Sequence, residues 1–395
     1  MISWRDIKSP FAGGAELLTH QMLRRMTKEY DITVLSSAFP GGKKKEKIDK
    51  VIYLRLGDAK KNYINAYNWR IYFSVFYYWW KNIRGKEQFD VTIEQINNVP
   101  FFYSLYADTN AVVFIHQLCR KNWFYQTPGI VAVIGYFLFE PLYLWLLRHK
   151  QVITVSNSTK NDLSRYGYKK EHIHIISEGS MLKRAVSIKL QKKSKICTIL
   201  SLGNIRPMKR VHVQIQAFEY AKKQMKNLRL VIAGDAAGAY GGQTLLQINN
   251  SPYRDSISYI GRISEKQKSE LLRASHMILM TSEREGWGLV VTEAASQGVP
   301  AIVFDSPGLR DSVRHNQTGI ICKANTPKAM GNAIVALAKH KKTYWKLASG
   351  ALQMSRDITF DKSADDCLTM LKNKEQVVAL ETQVVPIKST YAIAK

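Results

Sequence analysis

Two glutamates, Glu285 and Glu293, stand with seven residues between them in EREGWGLVVTEAASQGVP (Glu283–Pro300), on either side of a Gly-Trp-Gly kink. Gly286 and Gly288 let the backbone come close to a ligand, and a helix starting after them leaves the amides of Leu289 and Val290 without intrahelical partners. Glu285 then sits in the loop, and Glu293, about one turn inside the helix, can face the same side. Carboxylates beside free amides can grip hydroxyls through charged hydrogen bonds worth about 1.5 to 3 kcal/mol each. Hydroxyls in pairs indicate a sugar or a ribose. Trp287, between the glycines, reads as a packing plate.

Two other loops point to an anion. In GNIRPMKR (Gly203–Arg210), Arg206, Lys209 and Arg210 come directly before a helical pattern. Cations there oppose the helix dipole, which suggests a bound anion, although a solvated basic loop has the same composition. Gly13 and Gly14 open another helical pattern, so their amides form a candidate phosphate site, or a mere turn. No GxGxxG opens a helix and no GxxxxGK[ST] occurs, which weakens the NAD-linked and ATP-hydrolysing readings. A DxD pair is absent too, so cationic side chains must do what a metal would, and no metal or other cofactor is called for. The four cysteines, Cys119, Cys197, Cys322 and Cys367, have no ligand spacing.

The elements that must position these loops follow from period. DITVLSS (31–37), FDVTIEQ (89–95), NAVVFIHQ (110–117) and QVITVSNS (151–158) read as buried strands in the first half. In the second half the strands are 196–203, 228–234, 256–261, 276–282 and 300–305, with amphipathic helical stretches such as Val211–Met225 between them. Strand, helix, strand at this spacing predicts parallel sheets in an α/β, doubly wound fold. A chain of 395 residues suits two such domains. The basic, aperiodic MLKRAVSIKLQKKSK (Met181–Lys195) reads as the linker between residues 1–180 and 196–359. Ligands bind beyond the carboxyl ends of parallel strands, so two facing domains imply a cleft between them.

Lys and Arg outnumber Asp and Glu by 58 to 31, a formal charge of +27, so an anionic partner is expected. IVAVIGYFLFEPLYLWLL (Ile130–Leu147) is about long enough to span a bilayer, but Glu140 and Pro141 sit at its middle. A charge there costs roughly 2.5 to 3.5 kcal/mol on insertion scales, which favours a helix packed in the protein or lying in the interface. No signal peptide opens the chain and the first strand is abbreviated, so a reducing cytosol is the expected compartment.

Together these residues resemble the retaining glycosyltransferases of family 4, with the two-domain GT-B fold. GGAELLTHQMLRRMTKEYDITVLSS (Gly13–Ser37) resembles the family's glycine loop and helix, and SLGNIRPMKRVHVQIQAF (Ser201–Phe218) its first C-terminal loop. SEREGWGLVVTEAASQGVPAIVFDSPGLRDSV (Ser282–Val313) resembles its Glu, seven residues, Glu signature, and VITVSNSTKNDLSRYGY with IISEG its segment before the linker. The resemblance implies that Glu293 holds the ribose diol of a nucleotide-diphosphate sugar and that Glu285 touches the transferred sugar. It implies that Arg206 and Lys209 neutralise the diphosphate, while the Leu289 and Val290 amides and Gly14 cradle phosphate oxygens. His116, in FIHQLCRKNWF, matches a histidine near the donor sugar, although a histidine after an apolar strand is as often a hydrogen-bonded core residue. Asn204 departs from the pattern, since many members carry arginine there; Arg206 is given that role.

The acceptor implied is a glycan or a lipid-linked sugar, on the N-terminal domain. A peripheral position on the inner face of an anionic membrane agrees with GGKKKEKIDK (Gly41–Lys50), KHKKTYWK (Lys339–Lys346) and the aromatic stretch Asn62–Trp80. Nucleic acid has charge in its favour but no recognisable module. Two rival readings remain: a glycosidase using Glu285 and Glu293, and a non-catalytic protein coating a polyanion or membrane. FDKSADDCLTMLKNK (Phe360–Lys374) resembles a helix crossing back to the first domain; residues 375–395 have no assignment.

Overall fold

A computed structural model describes residues 1–59, 70–86, 89–107, 111–188 and 193–383. The first part of the aromatic stretch, residues 62–69, lies outside these, as do linker residues 189–192 and the last tail residues, 384–395.

The second half forms one sheet of six parallel strands: β8 (Cys197–Leu202), β9 (Leu228–Ala233), β10 (Ile257–Tyr259), β11 (Met277–Met280), β12 (Ala301–Val303) and β13 (Gly319–Ile321). Their spatial order is β10-β9-β8-β11-β12-β13, the order of a doubly wound dinucleotide fold. Its chain order reverses between β8 and β11. The loops leaving those two strands, Gly203–Arg210 and Thr281–Gly288, are therefore splayed to opposite faces and leave a crevice between them. Both loops singled out in the sequence stand at this point.

The first half repeats the plan around a strand reduced to almost nothing. Ile2 bridges in parallel to Leu35 of β1 (Thr33–Ser37) on one side and to Glu94 of β4 (Ile93–Ile96) on the other. Its neighbours complete the ladder, with Ser3 N–H donating to Leu35 O at 2.9 Å and Gln95 N–H to Ile2 O at 2.9 Å. This joins the group β1-β3-β2, with β2 at Lys45–Ile48 and β3 at Val51–Leu56, to the parallel group β4-β5-β6-β7, with β5 at Val112–Ile115, β6 at Val152–Thr154 and β7 at Ile173–Ile175. The glycine loop of Gly13 follows this minimal strand, and His116 follows β5. Both again leave carboxyl ends.

Four strands escaped the period analysis. The run Gly41–Lys50, read as a charged docking segment, contains β2 (Lys45–Ile48), antiparallel to β3 (Val51–Leu56). Glu46 breaks the basic run there and pairs with Arg55 at 2.8 Å and with Lys8. Asp49 and Lys50 take positive φ to turn the hairpin tightly. β7 and β13 are three residues each and only half-buried, with one fully buried residue apiece, so no apolar run marks them. KHKKTYWK likewise begins the helix Lys341–Asp357, and its Tyr344 enters the core of the second domain.

The apolar stretch Ile130–Leu147 is helical from Gly129 to Leu147, with a π turn at Gly135–Phe139. Glu140 is fully buried, accepting hydrogen bonds from Cys119 N–H at 2.6 Å, Arg120 N–H at 2.8 Å and Trp123 Nε1–H at 3.1 Å. Those bonds tie the helix into the globular domain. The helix Phe360–Gln383 runs past residue 374 and packs on the helix Gly14–Met26, where Arg25 meets Asp361 at 2.6 Å and Lys372 meets Glu29. Leu182, Arg184 and Ile188, within the expected linker, pack on or bond to the second half; Arg184 Nη2–H donates to Ser355 O at 2.7 Å.

Candidate functional site

A cavity of about 1290 Å³ lies where the carboxyl ends of the two sheets face each other. Three ties hold its walls together across the halves: Arg284–Asp162 at 2.6 Å, Lys121–Glu283 at 2.9 Å, and Ser158 N–H to Asp311 Oδ1 at 3.1 Å. Gly286 shows how close the walls come, since a Cβ there would lie 3.0 Å from the carbonyl oxygen of His116.

From the second half, Arg206, Lys209, Glu285 and Glu293 line the cavity, with Gly286, Trp287, Gly288, Leu289 and Val290. Gly13, Gly14 and His116 line it from the first. Gly203 and Asn204 do not: they border a separate void of about 10 Å³, and Gly203 ends β8 where Gly234 passes so close that a Cβ would meet Gly203 O at 2.0 Å. The close approach requires glycine at Gly234, while Gly203, just after β8, takes a positive φ of 133° with open space where a Cβ would stand.

The basic loop is a 3₁₀ turn, Pro207–Lys209, rather than the start of the helix, which opens at Val211 after Arg210 in the left-handed region. Thr281, buried at the end of β11, donates to the carbonyls of Lys209 at 2.8 Å and Arg210 at 3.0 Å, so the loop is held by the strand that carries the glutamates. This aims Lys209 into the cavity, 2.5 Å from Glu285 Oε1. Arg210 points elsewhere, over the ring of Phe304 and towards Glu283. Among the three cations of the sequence pattern, only Arg206 and Lys209 reach the site.

Gly288, at φ 96°, caps the helix Leu289–Ser296 in a conformation that favours glycine. A Cβ on Gly14 would touch Leu289 Cδ2 at 3.7 Å, which sets the two glycine-marked helix starts against each other across the cleft. The amide of Gly13 is occupied, donating to Glu16 Oε2 at 2.7 Å, so the anion site expected at both glycines reduces to Gly14 on this side. Trp287 is buried and donates Nε1–H to Thr292 at 2.7 Å, a packing plate that locks the kink.

Among the lining residues not marked in the sequence, two stand against the side chains that were. Lys268, on the helix Glu265–Ala274, stands 2.5 Å from Glu293 Oε1 and 2.9 Å from Glu265. Nothing local marks it, for it lies two residues from the exposed Lys266 on an amphipathic helix rich in charge. Burial raises the Glu293 carboxyl pKa above its ordinary value, and the Lys268 ammonium only partly offsets this. For Lys268, burial is the largest influence and acts to lower the pKa, but the Glu293 and Glu265 carboxylates together outweigh it and the net direction is up. The consequence is testable by titration. If ionised Glu293 accepts ligand hydroxyls, binding is full above its raised pKa and falls on acidification sooner than an ordinary glutamate would dictate; Glu293→Gln should flatten that acid limb. Nucleotide affinity measured against pH decides it, and an unchanged limb in the variant contradicts the assignment.

The second missed residue is Glu178, in IISEG. It is buried, lines the cavity and places Oε1 at 3.7 Å from His116 Nδ1. Gln95 Nε2 lies 2.7 Å from His116 Nε2 and 3.1 Å from Thr19 Oγ1, while Ser3 Oγ–H donates to Gln95 Oε1 at 2.6 Å. In that arrangement Gln95 donates to Nε2, so a neutral His116 carries its proton on Nδ1, towards Glu178. His116 is thus both a hydrogen-bonded core residue, stacked on Phe114, and a cavity residue.

Two doubly wound sheets facing across a cation-lined crevice, with a paired-glutamate loop at the switch point of the second, define a GT-B architecture. The profile described as Glycosyltransferase Family 4 matches residues 12–183, and that described as Glycosyl transferases group 1 matches residues 183–354. The chain belongs to this family of glycosyltransferases. The N-acetyl-alpha-D-glucosaminyl L-malate synthase of Bacillus anthracis is 26% identical over 227 residues, 57% of this chain and 54% of that protein. The match therefore spans about half the length of that relative. Sucrose-phosphate synthase from Thermosynechococcus elongatus has a similar fold, with a TM-score of 0.76 at 16% identity over 96% of this chain and 98% of that one. Anabaena HepE, solved in a complex with UDP and glucose, gives a TM-score of 0.64 at 15% identity over 97% and 99%.

Proposed function

We propose that this protein is a retaining, metal-independent glycosyltransferase that moves a hexose from a nucleotide-diphosphate sugar to a hydroxyl of a glycan or lipid-linked acceptor. The observation that carries the reading is the convergence of Lys209, Glu285, Lys268 and Glu293 with the Leu289 and Val290 amides on one cavity. Glu293 accepts the ribose diol; Arg206, Lys209 and the free amides, with that of Gly14, take the diphosphate. Cleaving a sugar–phosphate bond leaves positive charge on the sugar and negative charge on the departing phosphate. Preorganised cations and amides stabilise the latter without reorganising. Lys209 exchanges its Glu285 partner for the diphosphate, which frees the carboxylate to bind a hydroxyl of the sugar. The leaving phosphate, on the same face as the incoming acceptor, takes the acceptor proton, so the anomeric configuration is kept. The family match and the solved UDP complex of a similar fold support this assignment.

A thermal-shift screen with UDP, GDP and their hexose conjugates tests it, because a ligand that binds the folded state alone stabilises by mass action, about 2.7 kcal/mol at 100 times Kd. One nucleotide series should raise the melting temperature, and its sugar conjugate should be consumed when an acceptor is added. If none of them shifts the transition, the reading is wrong.

A further inference from the structure

Part of the cavity lining, its apolar limb, is made of residues not assigned to the donor, in a wall that also carries Asn97, Asn98, Gln126 and Thr127. Tyr72, Val99, Trp123, Val131, Ile134 and Phe139 line it, all from the first half. Val131 and Ile134 line this limb and are also half exposed, at 47% and 49%, on the helix Gly129–Leu147. Further along that helix Phe137, Leu138, Leu142 and Trp145 face outward, while Ala132, Gly135, Tyr143, Leu144 and Leu147 face the core. Tyr72 lines the limb from the helix Arg70–Tyr78, beside the exposed Phe73, Phe76 and Tyr77. The mouth of the limb is thus flanked by two helices whose outer faces are apolar. Such a face on a globular domain marks an interaction surface.

The geometry points to a lipid bilayer as the occupant of this surface, and to the hydrocarbon tail of an amphiphilic acceptor as the occupant of the limb, entering it sideways from the bilayer. Charge and aromatic placement select lipid. Lys81, Arg84 and Lys86 follow the first helix, are exposed, and pair with no carboxylate among the described residues; Arg148 closes the second, 4.2 Å from the Trp145 ring centroid. Outward tryptophan, tyrosine and phenylalanine rimmed by cations whose charge no carboxylate among the described residues neutralises match the headgroup boundary of an anionic leaflet. Buried Glu140 and its three donors keep the helix on the surface of the bilayer rather than through it. Gly135 has a structural part in this: a Cβ there would lie 2.5 Å from the Trp123 ring, so glycine lets the π turn close over a wall of the limb. The limb rests on the glycosyl-transfer reading for its acceptor; the surface does not.

The test uses the full chain with vesicles of phosphatidylcholine alone or mixed with phosphatidylglycerol, and with dodecyl maltoside below its micellar concentration against maltose. The protein should sediment with the anionic vesicles and detach at high salt, and Phe137→Ser with Leu138→Ser should weaken this by about tenfold or more. Dodecyl maltoside should change the tryptophan fluorescence where maltose does not, and Val131→Asp should abolish that change. The nucleotide-induced melting shift of the Phe137/Leu138 variant reports that it is folded. Sedimentation that is absent, or unaffected by the double substitution in folded protein, overturns the surface. A fluorescence response equal for maltose and its dodecyl derivative overturns the limb. Loss of the nucleotide shift in the native chain, with vesicle binding intact, instead removes the transferase reading.

Discussion

Lys209→Ala is expected to lower the rate of sugar transfer by about 100- to 1,000-fold, the usual effect of removing one preorganised stabiliser of a developing oxyanion. The substitution should leave the fold almost unchanged. The Lys209 side chain is 29% exposed and meets Glu285 at the cavity wall, and the turn that carries it is fixed through its backbone carbonyl by Thr281. The loss should fall on kcat, because the charge it opposes is larger in the transition state than in bound donor. Lys209→Arg keeps the charge on a wider, planar head and should retain more activity than alanine. Release of nucleotide followed in single-turnover and steady-state assays separates the two effects. A kcat within about threefold of the native value would show that the diphosphate is stabilised elsewhere, with Arg206 the first alternative.

The second large effect is expected at Glu293. Here function and stability are coupled, because the carboxylate is 3% exposed and its Lys268 partner 15%. Removing one member of a buried ion pair strands the other, typically costing about 3 to 5 kcal/mol. Glu265, 2.9 Å from Lys268 but largely exposed, softens the loss, so Glu293→Ala should fall near the lower end of that range. Donor affinity should drop further, since two charged hydrogen bonds to a diol are worth about 1.5 to 3 kcal/mol each. The double variant Glu293→Ala/Lys268→Ala should recover part of the stability and none of the affinity. Chemical denaturation and nucleotide titration of the two variants and the native chain check both halves. Glu293→Ala as stable as the native chain, or as tight a binder, would contradict the picture of a pre-paired diol acceptor.

The parts of the site visible in the sequence are those set by neighbours along the chain. Glu285 and Glu293 are linked by one loop and one turn of helix, so their spacing alone brings both into one crevice. Gly288 declares a left-handed residue before a helix, and β8, β9 and β11 declare themselves by apolar runs between glycine and polar stops. Legibility failed where elements were short or charged. Ile2 acts as a strand through bridges to two partners, and β2 sits in a lysine run whose one acid finds Arg55 across the hairpin. Neither has a periodic pattern to read.

By itself the sequence determined the alternating strands and helices, the glycine-marked loops at strand ends, the paired glutamates, and the excess of positive charge. These follow from side-chain period, backbone sterics and composition, which act over a few residues. Only the tertiary structure decided that Lys268 faces Glu293, that Gln95 hydrogen-bonds His116 with Glu178 3.7 Å from its other nitrogen, and that Arg206 and Lys209 enter the cleft while Gly203, Asn204 and Arg210 stay outside it. It also decided which face of Gly129–Leu147 remains bare. The physical reason is that such contacts arise from the packing of two sheets whose strands lie far apart in the chain, and burial, unlike propensity, belongs to the assembled neighbours rather than to the residue.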